Sequence, residues 1–343
     1  MEKKNIIAYI FIAALACLLF LLQVSIVSAE WIIYLLAIAA IAGLLYKSNK
    51  ISMHIFATIM SAFIVISFSL SFFLYPAISL ARGQGTVLSD NWWQSLNWIK
   101  QNTEECAVVA TYWDPGHFIT GIAERPVVCD GASQNSILVV EENGKNITRS
   151  RIQDIATTLL TDNETLAVDI LKRYKMPGCS EMYYIASSDL ISKSQWWTYF
   201  STWNPVTFGN KYYYFMSPLS QARPLLSENA ITYIYPAGQQ QSFIVYEQNN
   251  SYKAFLQQGG QMLKIEKIVF FTQDGMVMQS EENASVKGLV WLDPSRQMMI
   301  FIPPELENSM FTRMYFFNGF GLENFEFVSN WGGEVKLFRV KGV

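Results

Sequence analysis

The segment Tyr112–Gly116 brings three hydrogen-bonding side chains together beside a proline and a glycine. Tyr112 offers a hydroxyl, Trp113 an indole N–H and Asp114 a carboxylate acceptor. Pro followed by Gly suits the central positions of a type II turn, and proline favours an extended conformation in the residue before it, so we expect these side chains to be presented to solvent. Such a set could surround a small hydroxyl and satisfy both its donor and its acceptor. On local chemistry alone, a plain structural turn is the alternative.

The histidines and cysteines show no spacing typical of a metal site. His54 and His117 lie far apart in the sequence, so we expect neither to belong to a metal-ligand set. Cys106 and Cys129 each lie at the end of a strand-like run, and we predict that these two form a disulfide.

A helix and two strands are predicted around the turn. Ser89 or Asp90 can cap a helix whose apolar residues recur at helical spacing. A strand from Ala107 to Thr111 runs into the turn, and a short helical stretch then leads to a second strand, Pro126 to Cys129. This order is typical of an α/β layer, in which sites lie at the carboxyl ends of strands.

The remainder of the chain divides into two patterns. Thr161–Glu164 has the form of a capping box that opens a helix, and a strand is predicted from Met182 to Ala186. From about Ile231 the sequence changes to short β-rich runs, at residues 243–246, 268–272, 298–302 and 335–340. We therefore predict an α/β domain over residues 83–230 and a β-rich subdomain over residues 231–343.

The composition indicates contact with lipid, because 51% of the residues are hydrophobic. Three apolar runs, at residues 5–29, 31–46 and 53–76, are nearly free of charge, and a helix needs about 20 residues to cross a bilayer. We predict three transmembrane helices within residues 1–82, so that the fold class is a membrane-anchored α+β protein. A cleavable signal peptide is the alternative for the first run. The net charge of −3 and the lack of a basic block exclude a nucleic-acid partner.

Basic residues predict the orientation. Lys3 and Lys4 precede the first run, Lys47 and Lys50 lie between the second and third, and the turn at Glu30 has no basic residue. By the positive-inside rule, we expect a multi-pass protein of the cell membrane with a cytoplasmic N-terminus and an extracytoplasmic domain after residue 82. Four Asn-x-Ser/Thr triplets agree with that topology, and they begin at Asn146, Asn163, Asn249 and Asn283.

Three stretches resemble the catalytic subunits of oligosaccharyltransferases, of the archaeal and eukaryotic single-subunit type. The stretch from Tyr112 to Gln134 is similar to the family's W-W-D-Y-G region, with Tyr112 at the first Trp and Pro115 at the Tyr. The stretch from Ser187 to Trp197 resembles the family's Asp/Lys motif, and Asn308–Gly319 also resembles the family. The three follow the family's order along the chain, and the similarity covers the C-terminal part of such proteins.

The resemblance implies a specific function. The family transfers a glycan from a lipid-linked donor to the asparagine of Asn-x-Ser/Thr acceptors outside the cytoplasm, and its W-W-D part holds the acceptor's Ser or Thr hydroxyl. Carried over by position, Tyr112, Trp113 and Asp114 would form the hydroxyl pocket, with Asp189 and Lys193 as a supporting wall. The implied partners are the lipid bilayer, an acceptor polypeptide and a lipid-linked oligosaccharide.

The family's metal-binding carboxylates have no counterpart in this sequence. In the family they lie on loops of a larger membrane part, whereas Glu30 stands alone between the first two predicted spans. We therefore expect no catalytic residue, metal or cofactor in this chain, while Mn²⁺ or Mg²⁺ is implied for the complete family enzyme. The chain then has three interpretations: a gene fragment, a degenerate paralogue, or a split subunit whose separate partner chain carries the missing spans. The rivals are a non-catalytic extracytoplasmic binding or scaffold protein and an enzyme of different chemistry.

Overall fold

The computed structural model describes residues 41, 43–48, 52–69, 77, 80, 88–142, 144–225 and 229–343. The chain divides into two compact units, Met1–Leu88 and Ser89–Val343. In the first unit, helix α1 spans Met53–Ser69, which is 17 residues. No helix among the described residues combines the length and the apolar character that a bilayer crossing requires. The predicted span at residues 5–29 lies outside the described residues, as does most of the span at 31–46.

The second unit contains both helices and strands, which confirms an α+β fold for this part of the chain. Its α-helices are α2 (Asp90–Asn102), α3 (Gly116–Phe118), α4 (Arg151–Leu160), α5 (Glu164–Lys172), α6 (Asp189–Ser192), α7 (Ser194–Thr202), α8 (Pro304–Glu307) and α9 (Met310–Tyr315), and a π-helix at Ile119–Ala123 follows α3 directly. Its strands are β1 (Val108–Ala110), β2 (Ile137–Glu142), β3 (Lys145–Ser150), β4 (Met182–Ser187), β5 (Phe215–Pro218), β6 (Gln221–Leu225), β7 (Ala230–Gly238), β8 (Gln241–Gln248), β9 (Ser251–Gln258), β10 (Gln261–Thr272), β11 (Gly275–Ser280), β12 (Val286–Leu292), β13 (Met298–Ile302), β14 (Phe325–Trp331) and β15 (Val335–Val340).

The first sheet has the strand order β1-β4-β15-β14. Strands β1 and β4 pair in parallel, with Val109 opposite Tyr183, and β15 pairs antiparallel with β4. Every residue of β1 and β4 is buried. Continuous apolar runs of this kind are typical of strands covered on both faces, which is why the sequence predicted both strands.

Helix α2 begins where the sequence predicted. The Ser89 hydroxyl accepts a hydrogen bond from the Trp92 N–H at 3.2 Å, and Trp92, Leu96 and Ile99 face the core. At the other end, buried Arg125 donates to the carbonyls of Lys100 and Thr103 at 2.7 and 2.8 Å. These two bonds satisfy carbonyls that have no partner within the helix, so the Arg-Pro part of the first stretch has a structural role.

Two local predictions are wrong. The segment Pro126 to Cys129 forms a single parallel bridge, Val109 to Val127, instead of a strand. Helix α5 is capped by Asn163, whose side chain accepts from the Leu166 N–H at 3.1 Å, so Thr161 is not its cap. The capping box lies instead at the start of α4, between Ser150 and Gln153. The hairpin of β2 and β3 leads into that helix.

The β-rich part forms a second sheet with the order β5-β13-β12-β10-β9-β8-β7-β6, in which β11 pairs with β10. Its buried side chains include Tyr235, Val245 and Phe270. The runs predicted at residues 243–246, 268–272 and 298–302 all lie in this sheet, within β8, β10 and β13. The run at residues 335–340 is also a strand, but as β15 it lies in the first sheet.

The disulfide joins Cys106 to Cys179, with a Cα–Cα distance of 5.8 Å, and the predicted pair of Cys106 and Cys129 is therefore wrong. Cys106 precedes β1 and Cys179 precedes β4, and the amino ends of two adjacent parallel strands lie side by side. Cys129 is a free, buried thiol. Burial raises the pKa of this thiol to about 12.

Candidate functional site

The predicted site residues follow the carboxyl ends of β1 and β4. Asp114 comes four residues after the end of β1, while Asp189 begins helix α6 just after β4. Because the two strands are parallel neighbours, these ends lie at the same edge of the first sheet. The pairing therefore brings together residues that are far apart in the sequence.

Lys193 lies between two carboxylates at this edge. Its Nζ is 2.7 Å from Asp189 Oδ2 and 3.1 Å from Asp114 Oδ2. The spacing of four residues on a helical segment places Lys193 beside Asp189. The Ser187 hydroxyl donates to Asp189 Oδ1 at 2.5 Å. We call Asp114, Asp189 and Lys193 the charged trio; all three side chains are partly buried.

The trio keeps Lys193 protonated. Burial works to lower the pKa of Lys193, but the hydrogen bond and charge of Asp189, together with Asp114, outweigh it. The pKa of Lys193 therefore lies above its ordinary value. With two carboxylates and one ammonium, the trio has a net charge of −1.

Asp114 meets Lys193 through a buried oxygen. Its Oδ2 has almost no exposed surface and lies 3.1 Å from Lys193 Nζ, an ion pair that helps to raise the pKa of Lys193. The Asp114 side chain as a whole is 29% exposed, so a ligand can reach it only on the side that faces away from Oδ2.

Tyr112 and Trp113 have different surroundings. Tyr112 is buried within the main core, against the expectation that it would be presented to solvent, and Trp113 is half-buried and packs at the edge of that core. Burial raises the pKa of the Tyr112 hydroxyl, which hydrogen bonding with Trp113 partly offsets. The solvent-facing part of the predicted pocket is therefore formed by Trp113 and the charged trio.

The turn itself is not the predicted type II turn. The Gly116 N–H donates to the Trp113 carbonyl at 3.1 Å, which makes Asp114 and Pro115 the central residues. Pro115 has φ −81° and ψ 0°, and Gly116 begins helix α3 with no positive φ. Glycine is needed here for space: a Cβ on Gly116 would lie 2.7 Å from the Cys129 carbonyl oxygen and 2.8 Å from Asp130 Cα.

We expect Gly116→Ala to destabilise the turn and Gly121→Ala, in the same segment, to be tolerated. The added methyl at residue 116 meets backbone atoms that must move, and overpacking of this kind costs about 1–3 kcal/mol. At Gly121 no atom lies within 4 Å of the added carbon. The free energies of unfolding of both variants, from chemical denaturation, test this difference. Equal stabilities would show that the close approach of residues 116 and 130 is unimportant.

The loop at residues 130–133 packs against the turn and is held by its own hydrogen bonds. Asp130 Oδ1 accepts from the Ser133 N–H at 2.8 Å and from the Ser133 hydroxyl at 2.7 Å, and these bonds lower the pKa of Asp130. His117 is mostly exposed, with Nδ1 3.7 Å from Asp130 Oδ2. Among the described residues, the group that comes closest to a metal-ligand cluster is Glu104, Cys106 and Cys179, and its two sulfurs are joined in the disulfide.

The three stretches that resemble oligosaccharyltransferases meet at this site. Tyr315, in the third stretch, donates a hydrogen bond to the Gly333 carbonyl at 2.7 Å, lies near Ser188 and the charge of Asp189, and has a pKa that burial raises to about 12. Trp197 and Phe311 join the second and third stretches, with ring centroids 5.7 Å apart. Sequence reasoning did not assign roles to Ser187 or Tyr315. The Ser-Ser-Asp sequence at the end of β4 was the available signal for the first.

Comparison with known proteins confirms the resemblance. A segment of 90 residues is 32% identical to the dolichyl-phosphooligosaccharide-protein glycotransferase of Methanocaldococcus jannaschii, and covers 26% of this chain and 8% of that protein. A segment of 106 residues is 32% identical to the enzyme of the same name from Methanococcus voltae, covering 31% and 10%. The similarity therefore spans about a tenth of these relatives' length.

A search of protein-family models found no match. Among solved structures, the crystal structure of the C-terminal domain of PglB from C. jejuni aligns with a TM-score of 0.44 and 15% identity. That alignment covers 73% of this chain and 99% of the domain.

Proposed function

We propose that this chain provides the acceptor-binding part of an oligosaccharyltransferase, in which Asp114 binds the Ser or Thr hydroxyl of Asn-x-Ser/Thr. The observation that carries this proposal is the charged trio, in which Lys193 Nζ lies 3.1 Å from Asp114 Oδ2 and 2.7 Å from Asp189 Oδ2 while all three side chains keep some exposed surface. The sequence similarity to archaeal glycotransferases supports the choice of acceptor.

The hydrogen-bond donors and acceptors of the charged trio match those of one hydroxyl group. A hydroxyl has one hydrogen to donate and lone pairs to accept with, and an ammonium has three donors. In the proposed complex, the hydroxyl donates to the exposed side of the Asp114 carboxylate, and a Lys193 N–H that is not bonded to Asp189 donates to the hydroxyl oxygen. Asp189, held by Ser187, fixes the position of Lys193. Trp113 forms the wall of the pocket, and Tyr112 supports it from the core.

The rest of the reaction belongs to the complete enzyme. The lipid-linked oligosaccharide and the divalent metal would be bound by a membrane part of the family type, which a separate chain could carry. In this proposal the described domain lies outside the cytoplasm and contributes acceptor selection, with no catalytic residue of its own.

We expect the full chain to bind an Asn-x-Thr peptide more tightly than the same peptide with Val at the third position. Thr and Val have nearly the same shape, so the comparison isolates the hydroxyl. A hydrogen bond to a charged group contributes roughly 1.5–3 kcal/mol, which is about one to two orders of magnitude in affinity. NMR titration or crosslinking of isotope-labelled peptide at millimolar concentration measures the ratio.

Asp114→Asn should reduce the preference while keeping the shape of the side chain, because the hydroxyl then donates to an uncharged amide oxygen. Asp169→Asn is the matched control, because Asp169 is an exposed carboxylate on α5 paired with Lys172. Equal binding of both peptides by folded wild-type protein would exclude acceptor recognition and favour the binding or scaffold alternative.

A further inference from the structure

A surface of apolar side chains lies along α7 and the segment that follows it. Val206 is 83% exposed and Phe208 64% exposed, and Trp196, Trp203 and Tyr213 are each at least two-fifths exposed. We call these five residues the apolar ridge. Trp196 lies on α7, and Trp203 directly follows the last residue of that helix in an extended conformation. The segment at residues 204–211 returns along α7, with Asn210 bonded to Thr202 and Lys211 over the Trp196 ring.

Hydrogen bonds and close packing hold the ridge in place. The Asn204 side-chain oxygen accepts from the N–H groups of Val206 and Thr207 at 3.0 and 2.8 Å. The Asn210 N–H donates to the Thr202 hydroxyl at 2.7 Å. Gly209 lies so close to α7 that a Cβ would be 2.1 Å from the Tyr199 carbonyl oxygen. The loop therefore has a defined conformation, with its apolar tip directed outward.

The backbone of the loop is strained at an exposed apolar residue. Phe208 has φ +58°, a left-handed conformation that costs free energy for a bulky side chain. Neither burial nor backbone preference explains a phenylalanine at this position. A ligand that covers the Phe208 ring would explain it.

Lys211 is the charged residue of the segment that carries the ridge. The sequence from Ser194 to Tyr213 contains no acidic residue and no other basic residue. The Lys211 ammonium lies 4.7 Å from the centroid of the Trp196 ring and 5.7 Å from that of Tyr199. Tryptophan and tyrosine beside a cation with a long apolar stem are typical of residues at the boundary between lipid headgroups and acyl chains.

We propose that the apolar ridge binds the bilayer interface, with Val206 and Phe208 inserted below the headgroups and Lys211 at the level of the phosphates. The predicted third span ends at Pro76 and the second unit begins at Ser89, so about a dozen residues connect them, a reach of about 40 Å. A domain tethered in this way has a high effective concentration at the bilayer surface. A small inserted apolar surface is therefore enough for it to bind the bilayer. This inference rests on the predicted span and is independent of the acceptor site.

Depth-dependent quenching in the full chain tests the proposal. Cys17→Ser and Cys129→Ala remove the two cysteines outside the Cys106–Cys179 disulfide, and Val206→Cys then takes an environment-sensitive fluorophore in lipid nanodiscs that contain anionic lipid. Nitroxide lipids labelled at the headgroup or at a shallow acyl position should quench this fluorophore about twofold or more beyond a solvent-exposed reference, because interfacial segments bury only about 5–10 Å deep.

The reference label is placed at Gln240→Cys, an exposed turn residue of the second sheet. Lys211→Glu should reduce the quenching at residue 206 and leave it unchanged at residue 240. Thermal melts and gel filtration confirm that each variant is folded. Equal quenching at both sites would overturn the proposal. Protection of the label at residue 206 by acceptor peptide, without quenching by nitroxide lipid, would overturn it in favour of a peptide-binding surface.

Discussion

Replacement of Cys106 and Cys179 by serine is expected to lower the free energy of unfolding of the second unit by about 4 kcal/mol. The two cysteines are 73 residues apart. A crosslink that closes a loop of this length restricts the unfolded chain, and the loss of that restriction is the main cost, with a range of about 2–5 kcal/mol for native disulfides. Because the bond joins the amino ends of β1 and β4, its loss also releases the start of both strands.

Chemical denaturation of the full chain, followed by tryptophan fluorescence, measures this loss. A reducing agent should destabilise the wild type and leave the double variant unchanged. Cys129→Ala is the matched control: it should keep the response to reductant, since Cys129 is not in the bond. Loss of the response to reductant in Cys129→Ala would indicate that Cys106 pairs with Cys129 after all.

Asp154→Ala is expected to cost about 3–5 kcal/mol, because Asp154 is a fully buried carboxylate between cationic side chains. Its Oδ1 accepts from Arg149 Nε at 3.0 Å, and its Oδ2 accepts from the Tyr174 hydroxyl at 2.7 Å and lies 3.6 Å from Arg173 Nη1. The substitution removes the negative charge and leaves two partly buried guanidinium groups without this carboxylate. Asp154→Asn keeps the shape and should show how much of the loss comes from charge.

An exposed carboxylate provides the control for this prediction. Asp169→Ala, at an exposed carboxylate, should change stability by less than about 0.5 kcal/mol. A similar loss of stability in Asp154→Ala and Asp169→Ala would show that the buried contacts of Asp154 do not add to the free energy of unfolding.

The parts of the fold that were predictable have strong local signals. Helix α2 has a serine cap and a regular apolar stripe, and β1 and β4 are apolar runs apart from Ser187 at the end of β4. The turn with Asp114 was placed by the rule that sites lie at the carboxyl ends of strands, whereas Asp189 and Lys193 came from the family resemblance. Knowledge that β1 and β4 pair would have indicated the disulfide, because Cys106 and Cys179 precede those two strands. The prediction failed because it compared strand ends without knowing which strands pair.

Other features depend on tertiary contacts that the sequence does not show. Thr161 and Asn163 are both good helix caps, and only packing decides between them. The Tyr112 side chain was expected at the surface because of the turn beside it, whereas it fills the core under that turn. The hairpin of β2 and β3 exposes Ile137 and Val139, so its apolar pattern does not indicate a buried face.

The order of strands in the first sheet has a consequence for biosynthesis. Strand β15 lies between β4 and β14, so β4 gains this neighbour only after synthesis has passed residue 340. Until then the nascent chain carries β4 as an apolar strand with an open edge, and such edges pair readily with other chains. We infer that the growing polypeptide needs chaperone protection throughout the translation of the second sheet, and that ribosomes stalled within it yield aggregation-prone products.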